Sequence, residues 1–204
     1  MISPAVGEAR AARRQASREL RSRRLLEAAL TLFAERGYHD TSVDDVVAEA
    51  RTSKSSFYEF FESKEHCLRE VLRQEGGQLM HTVVDEAALG QDHRERIRRG
   101  IHAFVQACAR RRALARLLLV ESVGISPGIE DVRHKLHGRF VGVVEDEIRR
   151  AQAHDLFYAA INPTVFGRTL VGGVNEATGH FLGQPGADPA ALADGLCQIF
   201  APLN

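Results

Sequence analysis

The chain has no excess of charge of either sign, and this excludes one class of nucleic-acid-binding protein. Its 204 residues include 27 lysines and arginines against 27 aspartates and glutamates. A protein that holds nucleic acid through a uniformly basic surface needs a strongly positive net charge. Any attraction to phosphate must therefore come from a local cluster of basic residues.

Cysteines are few, and long apolar runs are missing. Cys67, Cys108 and Cys197 are far apart, odd in number and without CxxC spacing, which indicates buried, reduced thiols rather than a disulfide framework. We find no apolar run of about 18 residues and no signal-peptide core after the N-terminal arginines. These features predict a cytoplasmic protein with no membrane partner.

The apolar residues repeat at helical spacing, and strand-like alternation is not seen, which predicts an all-α fold. The first helix carries the stripe Leu25, Ala28, Ala29, Leu32 and Phe33. Gly37 is suited to end it in a left-handed conformation. Further helices are predicted from Ser63 to about Ala88, from Asp92, after a break at Pro127-Gly128, from Asn162-Pro163 and from Asp188-Pro189. The segment Leu114–Val120, apolar on most sides, is predicted to be buried, and Phe181 is expected to face inward.

Two short helices follow Gly37 almost without a gap. Thr41 or Ser42 begins the first of them, with Asp45 placed to complete a helix cap. Arg51-Thr52 forms a very short turn, and Ser53 can cap the next helix. This layout is typical of a helix-turn-helix, whose second helix enters the major groove of DNA.

The second helix of the pair carries the residues suited to contact DNA. Serine hydroxyls at positions 53, 55 and 56 allow close approach and can bond to phosphates or bases. Lys54 can reach a guanine or a phosphate, and Tyr58 shares its face one turn later. Phe57, Phe60 and Phe61 are too apolar to stay in water, so at least two of them should pack on the first helix.

The stretch resembles the DNA-binding domain of the tetracycline-repressor (TetR) family of transcriptional regulators. Three motifs carry the resemblance: A-x-x-L-F-A-E-R-G-Y from Ala29, T-S-V-D-D-V-V-A-E-A from Thr41 and S-K-S-S-F-Y-E-F-F-x-S-K-E from Ser53. The resemblance implies a basic arm over residues 1–20, a DNA-binding domain over 21–68 and a ligand-binding and dimerisation domain over 69–204. It further implies a homodimeric repressor on a palindromic operator, with a small-molecule effector. The DNA contacts that motif and resemblance together predict are Thr41, Ser42, Arg51, Thr52, Ser53, Lys54, Ser55, Ser56, Tyr58 and Lys64.

Three positions depart from the family pattern. Arg51 stands where the turn usually holds glycine, so it must adopt a conformation that glycine takes cheaply, or the turn must differ. Ser55 replaces a common glycine and crowds the approach to the groove. Glu59 stands where histidine is frequent, and its carboxylate would repel a phosphate or accept a hydrogen bond from cytosine.

The N-terminal segment is the main source of positive charge near the helix-turn-helix. Residues 1–24 hold seven arginines and two glutamates, whereas residues 25–70 hold ten acidic and five basic residues. Residues 1–17 are expected to form a mobile arm that can continue the first helix backward, and two interpretations of the role of this arm remain open. One is a solubilising tail; the other is an arm that lies along DNA, for example in the minor groove as homeodomain arms do.

Helix faces give a hypothesis for the effector pocket. The candidate lining residues are Phe104, Cys108, Leu118, Glu121, His137, Phe140, Val141 and Phe166. His102, Asn175 and His180 are further candidate polar groups in the pocket, against an ordinary core or interface role. His134 and His137, with His154 nearby, permit two metal ligands but supply no third, so no metal and no cofactor is predicted. The helices that begin near Pro163 and Pro189, the first with Gly172-Gly173, are predicted to form the dimer interface.

Two other functions remain as alternatives. One is a helical small-molecule-binding protein or enzyme in which the helix-turn-helix is vestigial, although no Ser-His-Asp, Cys-His or paired-carboxylate set can be assembled, so no catalytic residue is predicted. The other is a nucleoid-associated or scaffolding dimer.

Overall fold

The computed structural model describes residues 4–153 and 159–202, with side chains described from residue 10 onward. The regular structure in these ranges is entirely helical, which confirms the all-α prediction. The helices are α1 (Pro4–Arg36), α2 (Val43–Glu49), α3 (Lys54–Phe60), α4 (Lys64–Ala88), α5 (His93–Arg110), α6 (Arg112–Arg116), α7 (Pro127–Ala151), α8 (Pro163–Leu182) and α9 (Pro189–Phe200). A π-helical turn, Leu117–Glu121, follows α6 directly.

The chain separates into two compact units. The first is Met1–Val71 and the second is Leu72–Asn204, so the division falls within α4. The boundary expected from the sequence, between residues 68 and 69, lies close to this point. Each unit has its own buried apolar residues and is described separately below.

The first unit is built on α1, which is much longer than the apolar stripe alone predicts. The helix runs without interruption from Pro4, so the described part of the arginine-rich segment is helical and continues the first helix backward, as the sequence allowed. Gly37 ends it at φ 87°, as expected for a left-handed helix stop. Leu25 and Phe33 of α1, Val46 of α2 and Phe57 of α3 are completely buried, because the apolar faces of the three helices meet.

Side-chain caps fix where the helices begin. Ser42 and Asp45 form a reciprocal capping box at α2, and Ser53 accepts a hydrogen bond from the Ser56 amide at α3. The later helices repeat this device, with the caps Asp92, Ser126, Asn162 and Asp188. Proline occupies the first helical position after the last three of these caps, where its missing amide hydrogen costs nothing. The break expected at Pro127-Gly128 is thus the beginning of α7.

The second unit packs α5, α7, α8 and α9 around one apolar core. The closest pairings are α7 with α8 and α5 with α9. Gly167 of α8 lies so close to α7 that a β-carbon added there would be 3.2 Å from the Val141 carbonyl oxygen. Phe166 and Phe200 meet edge to face across α8 and α9, with ring centroids 6.0 Å apart.

The segment that joins α5 to α7 differs from expectation. Leu114, Ala115 and Leu117 are buried, but Val120 is 50% exposed, because the π-helical turn changes the direction in which successive side chains point. Phe181, expected to face inward, is also exposed near the end of α8. Within residues 4–153 and 159–202, no helix combines the length and the apolar composition needed to cross a bilayer.

Candidate DNA interface and ligand cavities

The turn between α2 and α3 is closed by backbone hydrogen bonds and strained at one residue. The Arg51 amide donates to the Ala48 carbonyl at 3.1 Å, and the Thr52 amide donates to the Val47 carbonyl at 2.9 Å. Arg51 adopts φ 51°, and it alone among the non-glycine residues described has a positive φ. The turn therefore keeps the geometry that a glycine would favour. Of the two options that the sequence left, a left-handed Arg51 or a different turn, the structure has the first. The Arg51 side chain is exposed to solvent.

The exposed face of α3, together with its N-cap Ser53, carries four of the ten predicted DNA contacts. Ser53 and Ser55 are exposed, and their hydroxyl oxygens are 2.9 Å apart. The Tyr58 side chain is 54% exposed. The Lys54 ammonium lies 2.8 Å from Asp44 of α2, and this hydrogen bond raises the pKa of the lysine. Because the pair is fully in water, a phosphate can replace the aspartate at little cost.

The two residues predicted to contact DNA at the beginning of α2 form hydrogen bonds within the protein instead. Thr41 is only 1% exposed, and its hydroxyl donates to the Gly37 carbonyl at 2.8 Å. Its side chain is therefore not available to a phosphate, which corrects the expectation for this residue. Ser42 is exposed, but its amide donates to the Asp45 carboxylate at 2.8 Å. The Asp45 carboxylate thus stands where the phosphate was expected.

The side chains of two further predicted contacts are turned toward the protein. The Ser56 hydroxyl oxygen is enclosed, without a hydrogen-bond partner in the described part of the chain, so it is not presented to the groove. The Lys64 ammonium donates to the carbonyls of Tyr38 and Thr41, both at 2.7 Å, and lies 4.2 Å from the centroid of the Tyr38 ring. Burial lowers the pKa of Lys64. This lysine fastens the beginning of α4 to the α1–α2 connection and keeps one of its three hydrogens for another acceptor.

Glu59 does not stand as an isolated negative charge. Its carboxylate accepts a hydrogen bond from Arg18 Nε at 3.1 Å and lies 3.7 Å from Arg21 Nη2. The Arg18 guanidinium also lies over the Phe60 ring, 5.3 Å from its centroid. The repulsion of phosphate expected from Glu59 is therefore offset by two arginines of α1. Phe57 and Phe61 are buried, in agreement with the expectation for at least two of the three phenylalanines.

The second unit contains an apolar cavity of about 420 Å³. Its walls come from α4, α5, α7 and α8, and they include Val83, Val84, Ile97, Ile101, Phe104, Phe140, Val144, Leu170 and Val174. The charged residues of the lining form one cluster, because Arg96 Nη1 and Arg150 Nη2 lie 3.4 and 2.8 Å from the carboxylate of Glu147. We call this space the inner cavity.

A second, more polar cavity of about 650 Å³ adjoins the first. The two share Phe104, Phe140 and Asn175, and the two phenylalanine rings meet edge to face at 5.9 Å. Its other walls include the residues Leu118, Leu119, Val120, Arg133, His137 and His180. Burial, together with the nearby charges of Arg168 and His134, lowers the pKa of His137, which favours the neutral imidazole at pH 7.

The structure brings half of the predicted pocket residues to these cavities. Phe104 and Phe140 line both, while Leu118 and His137 line the second. Cys108 lines only a small separate cavity of about 100 Å³, and burial raises the pKa of its thiol to about 12. All three cysteines are buried, as predicted.

The other three predicted pocket residues are placed differently, and these expectations are corrected. Glu121 pairs with Arg116 at 2.7 Å, since the π-helical turn brings the two side chains together. Val141 is buried in the core beside Gly167, and Phe166 packs against Phe200. None of the three lines the cavities described above.

Sequence reasoning missed the charged cluster of the inner cavity. Glu147 is buried, and His93 Nδ1 donates to its carboxylate at 2.7 Å. Burial opposes ionisation, but the hydrogen bonds from His93 and Arg150 outweigh it and lower the pKa of Glu147. These residues belong to helices rich in charge, where a solvated side chain is the ordinary expectation. Asn175 and His180, two of the further candidates, do line a cavity, whereas His102 lies 3.1 Å from Asp194.

A metal site was not predicted, and the described residues offer no cluster of three or more metal-ligating side chains. His134 is exposed and His137 faces the second cavity. His154, the remaining histidine of that hypothesis, lies outside the described residues.

A short helix pair closed by a tight turn, with an exposed second helix, defines a helix-turn-helix protein. Two family models match the chain: bacterial regulatory proteins of the tetR family over residues 25–71, and a tetracyclin repressor-like C-terminal domain over residues 90–201. The chain therefore belongs to the TetR family of helix-turn-helix transcriptional regulators.

Individual relatives agree with this assignment. The chain is 26% identical to the uncharacterized HTH-type transcriptional regulator YdgC of Bacillus subtilis, over 84% of this chain and 86% of that protein. Its fold is similar to that of FadR from Bacillus subtilis in complex with stearoyl-CoA, with a TM-score of 0.80, 15% identity and coverage of 89% and 98% of the two chains. It is also similar to AibR in complex with isovaleryl coenzyme A and operator DNA, with a TM-score of 0.74, 22% identity and coverage of 89% and 98%.

Proposed function

We propose that the protein is a cytoplasmic, ligand-responsive repressor that reads an operator through α3. The exposed face of α3, with Arg51 before it, carries the proposal. Ser53 and Ser55 stand at its beginning, where helix-turn-helix proteins approach base edges. Lys54 and Tyr58 are exposed one helical turn apart. Thr52 lies half-buried in the turn and stays a candidate backbone contact.

Selection of bound duplexes from a random pool tests this function. Wild-type protein should enrich one sequence and hold it against an unrelated duplex of equal length. Lys54→Ala and Tyr58→Phe should each weaken binding to the selected duplex by roughly 1–2 kcal/mol, a typical loss for one contact of this kind. Lys135→Ala removes an exposed lysine of the second unit and serves as the matched control. Wild-type affinity in both α3 variants would mean that another face binds DNA.

We propose further that the operator-binding form is a homodimer joined through α8 and α9. Val165 of α8 and Ile199 of α9 are 62% and 68% exposed, which is unusual for large apolar side chains. Gly195 of α9 is exposed, and a β-carbon added there would meet nothing within 4 Å, so this helix has room for close approach by another helix. Two copies joined here would form a four-helix bundle across a two-fold axis.

The inner cavity supports an effector with a long apolar part and an anionic group. Its lining is mainly aliphatic and aromatic, and the charged cluster places two guanidinium groups against one carboxylate. This cluster has positive charge in excess, so an anionic group can be bound without leaving a buried charge unpaired. Acyl-coenzyme A thioesters have this chemistry, and they are the ligands in the FadR and AibR structures.

In this proposal, α4 transmits the effect of effector binding to the DNA-binding helices. Val83 and Val84 of the cavity wall belong to the same continuous helix whose first residue, Lys64, is bound to the Tyr38 and Thr41 carbonyls. A ligand that displaces the wall residues shifts this helix and changes the spacing of the two α3 helices in the dimer.

Titration with stearoyl-CoA and isovaleryl-CoA tests the effector class. One of them should release the selected duplex, and Arg150→Gln should weaken that ligand at least about tenfold while leaving DNA binding intact. Arg149→Gln is the matched control, because Arg149 pairs with Glu145 and Asp146 outside the cluster. If both variants release the duplex at the same concentration of acyl-CoA, the assignment of the inner cavity as the effector site is overturned.

The same experiments separate the two alternatives. A protein that enriches no sequence from the pool would favour the helical binding protein or enzyme with a vestigial helix-turn-helix. A protein that binds DNA but responds to no acyl thioester or other apolar ligand would favour the scaffolding dimer.

A further inference from the structure

The arginines at the beginning of the chain form a stripe along one side of α1. Successive helical residues are rotated by about 100°, and at that spacing six arginines fall within an arc of about 140°. They are Arg10, Arg13, Arg14, Arg18, Arg21 and Arg24, and all six are exposed. We call this set the arginine stripe. Glu19 lies on the opposite side of the helix, where it accepts a hydrogen bond from Gln15.

The stripe continues the surface of α3. Arg18 and Arg21 both contact Glu59, and Arg18 covers Phe60, so the middle of the stripe lies beside the C-terminal half of α3. Glu59 follows Tyr58 and stands one turn after Ser55, both of which are exposed on α3. Glu59 lines a groove along this side of α1 together with Arg10, Arg13 and Arg14. A ligand on the exposed face of α3 therefore meets the stripe when it extends beyond Glu59.

The dimensions of the stripe fit the outside of a DNA duplex. From Arg10 to Arg24 the helix rises by about 21 Å, which corresponds to about six base pairs. An α-helix is about 10–12 Å wide and the minor groove about 6 Å, so a helical segment does not enter that groove. The minor-groove placement considered from the sequence is therefore replaced by contact with the phosphate backbone.

We propose that the arginine stripe is a second DNA-binding surface, which binds the phosphate backbone beside the segment read by α3. This inference rests on the proposed DNA-binding function and extends it to base pairs outside the site that α3 reads. Guanidinium groups bind phosphate oxygens in bidentate fashion, and their spacing along one helix face matches a charged backbone and not a single small anion. The contact is independent of base sequence and strongly dependent on salt.

An anionic membrane is the other large surface with regularly spaced phosphates, and the stripe fits it less well. Helices that lie on membranes place a broad apolar face opposite or beside the basic one. Between Arg10 and Arg24, Leu20 is the one large apolar residue. The segment therefore has charge to attract a bilayer but little apolar surface to insert into it.

The test compares three full-length proteins on the duplex that the wild type selects. The first is wild type, and the second carries Arg10→Gln, Arg13→Gln and Arg14→Gln, none of which contacts Glu59 in an ion pair described above. The third carries Arg23→Gln, Arg112→Gln and Arg139→Gln, exposed arginines outside the stripe, and loses the same charge. Affinity is measured across a series of salt concentrations, on duplexes with and without flanking base pairs.

The stripe variant should bind at least about tenfold more weakly at low salt, and its plot of log affinity against log salt should be shallower by roughly 2 to 5 per dimer. Trimming the flanking base pairs should reduce the difference between the stripe variant and wild type. The control variant should keep the wild-type slope, and the sequence enriched from the pool should be the same for all three proteins.

Three results would overturn the inference while leaving the proposed function intact. They are wild-type slopes in the stripe variant, an equal loss in the control variant, and loss of binding to phosphatidylglycerol vesicles with no change on DNA, which would identify a membrane as the partner. Failure of the wild type to enrich any sequence would instead remove the proposed function, and this inference with it.

Discussion

At the scale of single residues, several side chains predicted to contact DNA prove to hold the reading surface in place. Lys64 and Thr41 bind backbone carbonyls, and Ser42 caps the beginning of α2. The residue types that suit a phosphate contact, a hydroxyl or an ammonium group, are the same types that satisfy helix ends and loop carbonyls.

Arg51 is the residue at which the fold and the proposed DNA binding make opposite demands. Its left-handed backbone costs roughly 1–2 kcal/mol in a residue with a β-carbon, whereas glycine loses more chain entropy on folding. Arg51→Gly should therefore stabilise the protein by about 0.5–1 kcal/mol, measured by urea unfolding, and weaken binding to the selected duplex by removing an exposed positive charge.

Arg51→Ala separates the two effects, because alanine removes the charge but keeps the β-carbon. It should lose the same DNA affinity without the gain in stability. A glycine variant that is less stable than wild type would show that the positive φ carries no strain here.

The sequence indicates which residue of the turn is unusual, but it does not predict the hydrogen-bond and ion-pair partners of Lys64 and Glu59. The position of Arg51, where the family pattern has glycine, left a left-handed residue or a different turn as the options, and the structure adopts the first. The Lys64 ammonium reaches the Tyr38 and Thr41 carbonyls because of the direction in which α4 follows α3. No local sequence pattern predicts that direction. The same holds for Glu59, whose repulsive charge is compensated by Arg18 and Arg21, more than thirty residues earlier in the sequence.

At the scale of the helices, the caps and prolines were sufficient to predict where most elements begin. Asp92, Asn162 and Asp188 cap α5, α8 and α9 as expected, because the orphan amides of a helix start need a side-chain acceptor. The π-helical turn was not predicted, since Leu114–Val120 is apolar on most sides and has no clear repeat that an extra residue could interrupt. This turn accounts for the exposed Val120 and for the pairing of Glu121 with Arg116.

The two central glycines of α4 give a prediction at this scale. A β-carbon added at Gly77 meets nothing within 4 Å, so Gly77→Ala should stabilise the protein by up to about 1 kcal/mol through helix propensity alone. At Gly76 the added atom would lie 2.7 Å from a Leu136 methyl, and overpacking of this kind typically costs about 1–3 kcal/mol.

Chemical unfolding of the two alanine variants measures the difference, and each serves as the control for the other. Gly76→Ala should be the less stable by at least about 1 kcal/mol. Equal stability would mean that α4 and α7 approach each other less closely than the structure has them.

At the scale of the whole molecule, the family and the all-helical fold followed from the sequence, but the lining of the two cavities followed only in part. Phe104 and Phe140 could be assigned because large aromatic residues on apolar helix faces must lie inside. Arg96, Glu147 and Arg150 could not be assigned, because a charged residue is ordinarily solvated, and only the packed helices show that these three meet.

The proposed dimer gives the prediction at this scale. Ile199→Glu places a charge in the centre of the proposed interface, so the variant should sediment as a monomer at micromolar concentration and lose most of its operator affinity. Leu89→Glu is the matched control, since Leu89 is 63% exposed and lies outside α8 and α9. It should leave the sedimenting mass unchanged, and a dimeric Ile199→Glu protein would place the interface elsewhere.

The π-helical turn beside the second cavity also bears on how the protein can diverge. Deleting one residue between Leu117 and Glu121 would restore a regular α-helix, because a π-helical turn holds one residue more than an α-helical turn, and the segments on either side would keep nearly their present orientation. Leu118, Leu119 and Val120 would then present different groups to the cavity, while the codons for α1 to α3 stay untouched. The loss of a single codon can therefore reshape the second cavity, which adjoins the proposed effector site, and leave the helices proposed to bind DNA unchanged.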